Sequence, residues 1–282
     1  MNNSLKKFND REDKDEILSA VLELLKQANS IINSCSRKAC KTLSSEKIVT
    51  ELDYEINKLI TDILHDKYPD FGLLSEETED DLSRLTKDKV FIFDPLDGTD
   101  RFLKGEGGFS VNIGLVINNV LVLGAIALPE ENSIIFAVQG DGAYVADDKG
   151  QRRINSSNRS LEQCFITLSD SSMINTNFFK IRKALESVNK NPWSPKGAAG
   201  YKLAQIAKGN QDLWIRMGKP CHEWDICAGD IIIKEAGGKI TDFKGKELLY
   251  NQRDSEKNNI LVTNSIVHQS VLDIIKNLSE NS

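Results

Sequence analysis

The stretch from Val90 to Val145 constrains the fold most. Val90–Phe93 is a short, wholly apolar run, and Ser110–Ile117, Val120–Leu128, Ser133–Val138 and Ala143–Val145 follow as strand candidates. The last four are separated by Asn-Asn, Pro-Glu-Glu-Asn and, after Gln139, Gly-Asp-Gly. Links this short join antiparallel neighbours, because a parallel pair needs a crossover of about a dozen residues or more. The expectation is an antiparallel meander with helices on either side of it in the chain. Residues 12–34 place Ile17, Leu18, Val21, Leu22, Leu24, Leu25, Ala28, Ile31 and Ile32 at helical spacing, and a second helix is expected from Glu51 to Leu64.

The second half alternates. Strands are expected at Cys164–Leu168, Asp212–Arg216, Lys239–Phe243 and Asn259–Thr263, and helices at Thr176–Ser187, Ala199–Lys208, Asp225–Ala236 and Ser265–Leu278. Helices and antiparallel strands in blocks make the fold class α+β and layered. With 282 residues, the chain suits one large domain or two closely joined ones. The weakest join lies near Gln151–Asn158, which divides the chain into residues 1–150 and 151–282.

Charge and cysteines narrow the class. The formal net charge is −6, which disfavours generic nucleic-acid binding. Read over the whole chain it also counts against anionic ligands, but bound cations invert a local field, so that scale misleads at a metal site. The N-terminal segment shows no apolar region of a secretory signal, and no run of about 18 apolar residues occurs. The five cysteines, Cys35, Cys40, Cys164, Cys221 and Cys227, form no C-x-x-C pair and read as reduced thiols. These features predict a cytoplasmic protein without stable membrane insertion.

Chemistry concentrates in four short segments. Asp94-Pro95-Leu96-Asp97-Gly98-Thr99 follows the buried run VFIF directly. Pro95 removes an amide and fixes φ, so the chain turns out of the sheet at once. Two carboxylates and the Leu96 carbonyl then share one tight turn, and such oxygens are the ligands Mg²⁺ prefers. Gly98 lets a phosphate approach the backbone, and a helical turn starting there would present free amides to an anion. Taken singly, D-P and D-G are also ordinary turn dipeptides.

Ser75-Glu76-Glu77 precedes more acidic residues and reads equally as solvated surface. Glu223-Trp224-Asp225 opens an apolar helix, where Asp225 has the form of an N-cap, with Trp224 as a dry wall beside it. Thr50-Glu51-Leu52-Asp53 has capping-box spacing, although a buried Asp53 could instead orient a hydroxyl or a water. Carboxylates converging from these segments would repel one another without cations. Two or more divalent metals are the economical explanation, and paired metals serve phosphoryl hydrolysis.

Together, SEE at 75–77, DPLDGT at 94–99 and WDICAGDIIIKEAGG at 224–238 resemble the inositol monophosphatase superfamily of Mg²⁺-dependent, often lithium-sensitive phosphatases. The resemblance runs from about residue 15 to 275 and implies an αβαβα layered sandwich. By position it implies that Glu76, Asp94, Asp97, Asp225 and the Leu96 carbonyl hold two or three Mg²⁺ ions, with Li⁺ and Ca²⁺ as inhibitors. Glu76 and Thr99 would hold the attacking water, Asp53 would orient Thr99, and the Gly98 and Thr99 amides would meet the phosphate.

Within the superfamily, DGTDRFLKGEGGFSVNIGLV and LSEE resemble the 3'(2'),5'-bisphosphate nucleotidase branch. Arg216 stands where inositol enzymes tend to have Glu, and Lys202 where nucleotidases tend to have Lys; a cation suits a second phosphate. Both also read as solvated surface cations. Gly197-Ala198-Ala199-Gly200 departs from the nucleotidase Gly-Ser-Ser, which removes hydroxyls expected to recognise base and ribose. The resemblance implies hydrolysis of 3'-phosphoadenosine 5'-phosphate to AMP by water activated at the metal centre, a role in sulfur assimilation, and a monomer or homodimer. An inositol- or sugar-phosphate phosphatase is the rival enzyme. A non-catalytic, metal-dependent regulatory or binding protein is the rival of another class.

Overall fold

The computed structural model describes residues 11–35, 42–44, 49–169, 176–194 and 197–280. Cys40 and the first ten residues, on which sequence readings fall, lie outside the described residues. Cys164, Cys221 and Cys227 are buried, free thiols.

The chain opens with helix α1 (Arg11–Ser34), the short strands β1 (Thr42–Ser44) and β2 (Val49–Thr50), helix α2 (Glu51–Lys67) and strand β3 (Gly72–Ser75). Then come β4 (Lys89–Asp97), α3 (Thr99–Lys104), β5 (Ser110–Ile117), β6 (Val120–Leu128), β7 (Ser133–Val138), β8 (Gly142–Asp147) and β9 (Gly150–Ile154). The remainder is β10 (Ile166–Thr167), α4 (Thr176–Val188), α5 (Ala199–Ala207), β11 (Leu213–Arg216), β12 (Cys221–His222), α6 (Glu223–Glu235), β13 (Lys239–Asp242), β14 (Glu256–Lys257), β15 (Ile260–Thr263) and α7 (His268–Glu280).

Strands β3 to β9 form one seven-stranded sheet in chain order. Only the β3–β4 pair is parallel; the rest is the antiparallel meander that the short links demand. Gln151–Ile154, read from sequence as the start of a join, runs as β9 on the sheet edge. A second sheet has the order β10-β11-β15-β13.

Three apolar clusters define five layers. On one face of the large sheet, Val21, Leu25, Ile56 and Ile60 of α1 and α2 pack against Phe91, Phe93 and Ile113. On its other face, Leu203 and Ile206 of α5 and Ile226, Ile232 and Ile233 of α6 meet Ile92, Ile126 and Ile135, and the same cluster reaches Trp214, Ile240 and Val262 of the second sheet. Beyond that sheet, Phe178, Ile181 and Leu185 of α4 and Val271 and Ile275 of α7 cover Ile166, Ile215 and Leu261. The order is helices, sheet, helices, sheet, helices: the expected αβαβα sandwich. Helices α5 and α6 lie between two sheets and are buried along most of their length, α6 with Glu223 and Asp230 as well as its apolar residues inside.

The middle layer is tight. A Cβ at Gly124 would lie 2.3 Å from the Ala228 carbonyl oxygen, so the missing side chain lets α6 ride directly on β6. No helix among the described residues is long and apolar enough to cross a membrane.

Candidate active site

The pairing of β4 with β5 places the first two carboxylates. Asp94 lies opposite Asn112 and Asp97 opposite Ser110, so three steps on β4 match two on β5. Residues three apart on a regular strand face opposite ways; the extra residue of this bulge returns Asp97 to the side of Asp94. The strand thus holds both acids where the sequence suggests a turn. Asp94 Oδ1 accepts the Leu96 amide at 3.0 Å. Asp97 Oδ2 accepts the Gly200 amide at 2.6 Å, with Ser110 Oγ and Asn112 Nδ2 at 3.4 Å. A Cβ at Gly200 would lie 2.2 Å from Asn112 Oδ1 and 2.5 Å from Ser110 Oγ, so only glycine lets the α5 backbone come this close to β5.

Glu76 follows the end of β3, and Asp225 sits in the first turn of α6. Carboxylate oxygens of Glu76, Asp94 and Asp225 all lie within 4.8 Å of one another. Asp225 is not the N-cap expected from sequence. Helix α6 begins two residues earlier, His222 caps it, and Asp225 reaches back to accept the His222 amide at 2.6 Å. Trp224 is half-buried and stacks on the His222 ring, centroids 4.5 Å apart.

These acids resist ionisation together. Burial, then the charges of Glu76, Asp97 and Asp225, push Asp94 well above the usual carboxylate range. Asp225 rises to about 8, through burial and then the Asp97 and Glu76 charges. Asp97 rises only to about 6, because the Gly200 amide offsets its burial. Asp94 Oδ2 is fully buried and accepts no hydrogen bond among the described residues. An oxygen-only donor set with an orphaned acceptor fits hard divalent cations, and the residues present therefore suit Mg²⁺.

Asp53 and Thr99 form the adjoining polar couple. Asp53 Oδ2 accepts the Thr50 amide at 2.9 Å and the Thr50 hydroxyl, so the capping arm is present. Its other oxygen accepts the Thr99 hydroxyl at 2.7 Å, while the Leu96 carbonyl lies 3.1 Å from the same hydroxyl. Asp53 therefore caps α2 with one oxygen and accepts the Thr99 hydroxyl with the other. Burial raises its carboxyl, against the lowering effect of the Thr50 and Thr99 hydroxyls. Gly98 precedes α3 with φ +96°, a conformation side chains rarely adopt, and a Cβ there would meet Ala198 at 2.9 Å.

A cleft of about 560 Å³ opens over these groups, lined by Glu76, Asp97, Asp225, Lys202, Arg216 and Lys219. Lys202 is buried, its ammonium 5.7 Å above the Trp214 ring, and Trp214 donates to Ser169 Oγ at 2.9 Å. Arg216 donates to the Pro220 carbonyl at 2.9 Å. Lys219 and Arg101 also line the cleft and were not among the sequence candidates. Lys219 had a signal, since it lies between Arg216 and Asp225. Arg101 had one as well, in the DGTDRF motif. The Gly200 amide had none, because a backbone donor leaves no residue-type signature.

Comparison with known proteins agrees with this geometry. The profile of the Inositol monophosphatase family matches residues 13–280. A Thermotoga maritima fructose-1,6-bisphosphatase/inositol-1-monophosphatase is 31% identical over 242 residues, covering 85% of this chain and 87% of that protein. A 3'(2'),5'-bisphosphate nucleotidase of Aggregatibacter actinomycetemcomitans is also 31% identical, over 248 residues, covering 85% and 89%. Among solved structures, the Thermotoga maritima IMPase superposes with a TM-score of 0.75 at 28% identity, covering 94% of this chain and 99% of that one. With a family profile spanning almost the whole chain, and the carboxylates of three separate segments gathered beneath one cleft, the chain belongs to the inositol monophosphatase family of phosphatases.

Proposed function

We propose that this protein is a Mg²⁺-dependent phosphomonoesterase that hydrolyses 3'-phosphoadenosine 5'-phosphate to AMP and phosphate. The observation that carries the reading is the double character of one cleft. Carboxylates line it, and so do Lys202, Arg216 and Lys219. Carboxylates alone suit a metal-held phosphate. Three added cations suit a second anionic group on the same substrate. The nucleotidase relative supports this choice.

Glu76, Asp94, Asp97, Asp225 and the Leu96 carbonyl would hold two or three Mg²⁺ ions, with Li⁺ and Ca²⁺ inhibitory. Bound there, the ions supply charge neutralisation at the phosphate and lower the pKa of water. The chain's own residues do the rest. The Thr99 proton is committed to Asp53, so the Thr99 hydroxyl offers lone pairs and orients a water by accepting a hydrogen bond from it. Glu76 would accept the second hydrogen bond of that water and take its proton as the water oxygen bonds to phosphorus, while the bond from phosphorus to the 3' oxygen breaks and that oxygen takes up a proton from solvent water. The Gly98 and Thr99 amides take up phosphate oxygens, and Lys202 and Arg216 take the second phosphate. In this reading residues 1–150 supply most metal ligands, and 151–282 supply Asp225 and the cations that select substrate.

Phosphate release from the adenosine bisphosphate, inositol 1-phosphate and fructose 1,6-bisphosphate tests the reading. The first should show the highest kcat/KM. Arg216→Glu should lower that value by about 10- to 100-fold, the equivalent of one charged hydrogen bond, and shift preference toward inositol 1-phosphate. An unchanged ranking in the variant overturns the role of Arg216. A sugar- or inositol-phosphate phosphatase is the second reading, favoured by the Thermotoga relative named for both activities.

A further inference from the structure

Outside the cleft, a heavily bonded polar cluster joins the segments that carry Glu76 and Asp225. Arg84 is 1% exposed and Glu223 is fully buried. Arg84 pairs with Asp80 through Nη2 at 2.8 Å, donates through Nη1 to Asn251 Oδ1 at 2.7 Å, and donates to the Gln252 carbonyl at 2.8 Å. Glu223 accepts the amides of the same two residues, Asn251 at 2.7 Å and Gln252 at 3.0 Å, and the Lys257 ammonium at 2.8 Å. The peptide at 251–252 is thus held from both sides. Its amides face a buried anion, and its carbonyl and side chain face a buried cation.

The ends of this chain of contacts lie beside the metal-binding carboxylates. Asp80 is four residues beyond Glu76, on the loop after β3, and Glu223 is two residues before Asp225 in the same helical turn. Glu76 and Asp225 bring carboxylate oxygens within 4.8 Å of each other from two separate segments. A buried ion pair with both partners satisfied adds little net stability, but losing one partner strands the other in the interior. Such a cluster resists displacement, which is what two ligands on separate segments need if their separation is to stay fixed.

We propose that Asp80–Arg84–Asn251/Gln252–Glu223–Lys257 is a positioning brace that sets the Glu76–Asp225 separation and so the Mg²⁺ affinity of the site. The brace rests on the reading that Glu76 and Asp225 hold Mg²⁺. Calorimetric Mg²⁺ titration of wild type, Asp225→Asn, Glu223→Gln and Asp80→Asn tests it, with phosphate release at rising Mg²⁺ as a second readout. Groups that orient metal ligands typically contribute 10- to 100-fold in affinity, so Glu223→Gln should weaken Mg²⁺ binding by about that factor, with turnover recovering at raised Mg²⁺. A merely stabilising role would lower the melting temperature and leave the affinity of the folded protein alone. If Glu223→Gln does not fold, Asp80→Asn at the more exposed end decides, with a smaller loss in the same direction. If Asp225→Asn weakens binding while the Glu223 and Asp80 variants stay within about twofold of wild type, the brace is overturned and the metal reading stands. If Asp225→Asn binds Mg²⁺ as wild type does, the metal reading falls and takes the brace with it.

Discussion

Asp94 has one oxygen committed to the Leu96 amide and the other buried without a donor, beside three other acids. Replacing it with Asn removes a repelled charge and leaves the shape almost intact. Two effects of opposite sign follow. Phosphate release should fall by more than about a hundredfold, because the ligand set loses its most buried member. The metal-free protein should gain about 1–2 kcal/mol, since a buried, uncompensated carboxylate is expensive. Phosphate assays and denaturant melts in chelator measure the pair, and an Asp94→Asn protein with wild-type turnover sinks the proposed mechanism. Asp94, Asp97 and Thr99 were legible because one hexapeptide after a buried strand carries them. Glu76 and Asp225 became legible only through resemblance. By residue type alone the first is one of several surface acids and the second a helix cap. Arg84 and Glu223 gave no sign, because their shared partners lie 28 to 168 positions away in the chain.

At the scale of elements, α7 enters the second sheet through a buried histidine. His268 Nε2 lies 2.9 Å from Thr241 Oγ1, and Nδ1 lies 2.9 Å from Thr263 Oγ1. Thr241 spends its own proton on the Asp242 carbonyl, so it must accept from Nε2–H, which leaves Nδ1 to accept from Thr263. The ring is satisfied only when neutral. Burial, helped by Lys239, lowers its pKa from 6.5 to about 4. The unfolded chain therefore takes up this proton first, and stability conferred by His268 is complete above pH 6.5 and drains away as pH falls toward about 4. In denaturant melts from pH 7 to 4.5, the gap between wild type and His268→Asn should narrow with acid; a constant gap would remove the histidine from the acid response. Strands β5, β6 and β7 were readable to the residue, because continuous apolar runs end abruptly at Asn, Pro and Gly. Strand β9 was not: GQRRI is polar and largely exposed, and only its pairing with β8 makes it a strand. Strand β3 is four residues long and pairs in parallel with residues eighteen positions on, beyond any local pattern.

In the whole molecule, α6 occupies the central layer and touches both sheets, with Asp225 at the end that faces Glu76 and Asp94. The large sheet and α6 therefore meet across four carboxylates that repel one another, and cations between them turn a repulsive seam into a cohesive one. Mg²⁺ should bind the folded chain and not the unfolded one, because only folding gathers Glu76, Asp94, Asp97 and Asp225. At about 100 times its dissociation constant it should add about 2.7 kcal/mol, which for a chain of this size raises the melting temperature by about 4–5 °C. The gain should vanish in excess chelator and shrink in both Asp94→Asn and Asp225→Asn, whereas a change confined to the surface, such as Lys58→Ala in its exposed pair with Asp62, should leave it intact. Differential scanning calorimetry with and without Mg²⁺ gives the answer. Equal melting temperatures in chelator and in Mg²⁺ would mean that the carboxylates do not close around an ion, and the seam would then have to be held by protons on Asp94 and Asp225 instead.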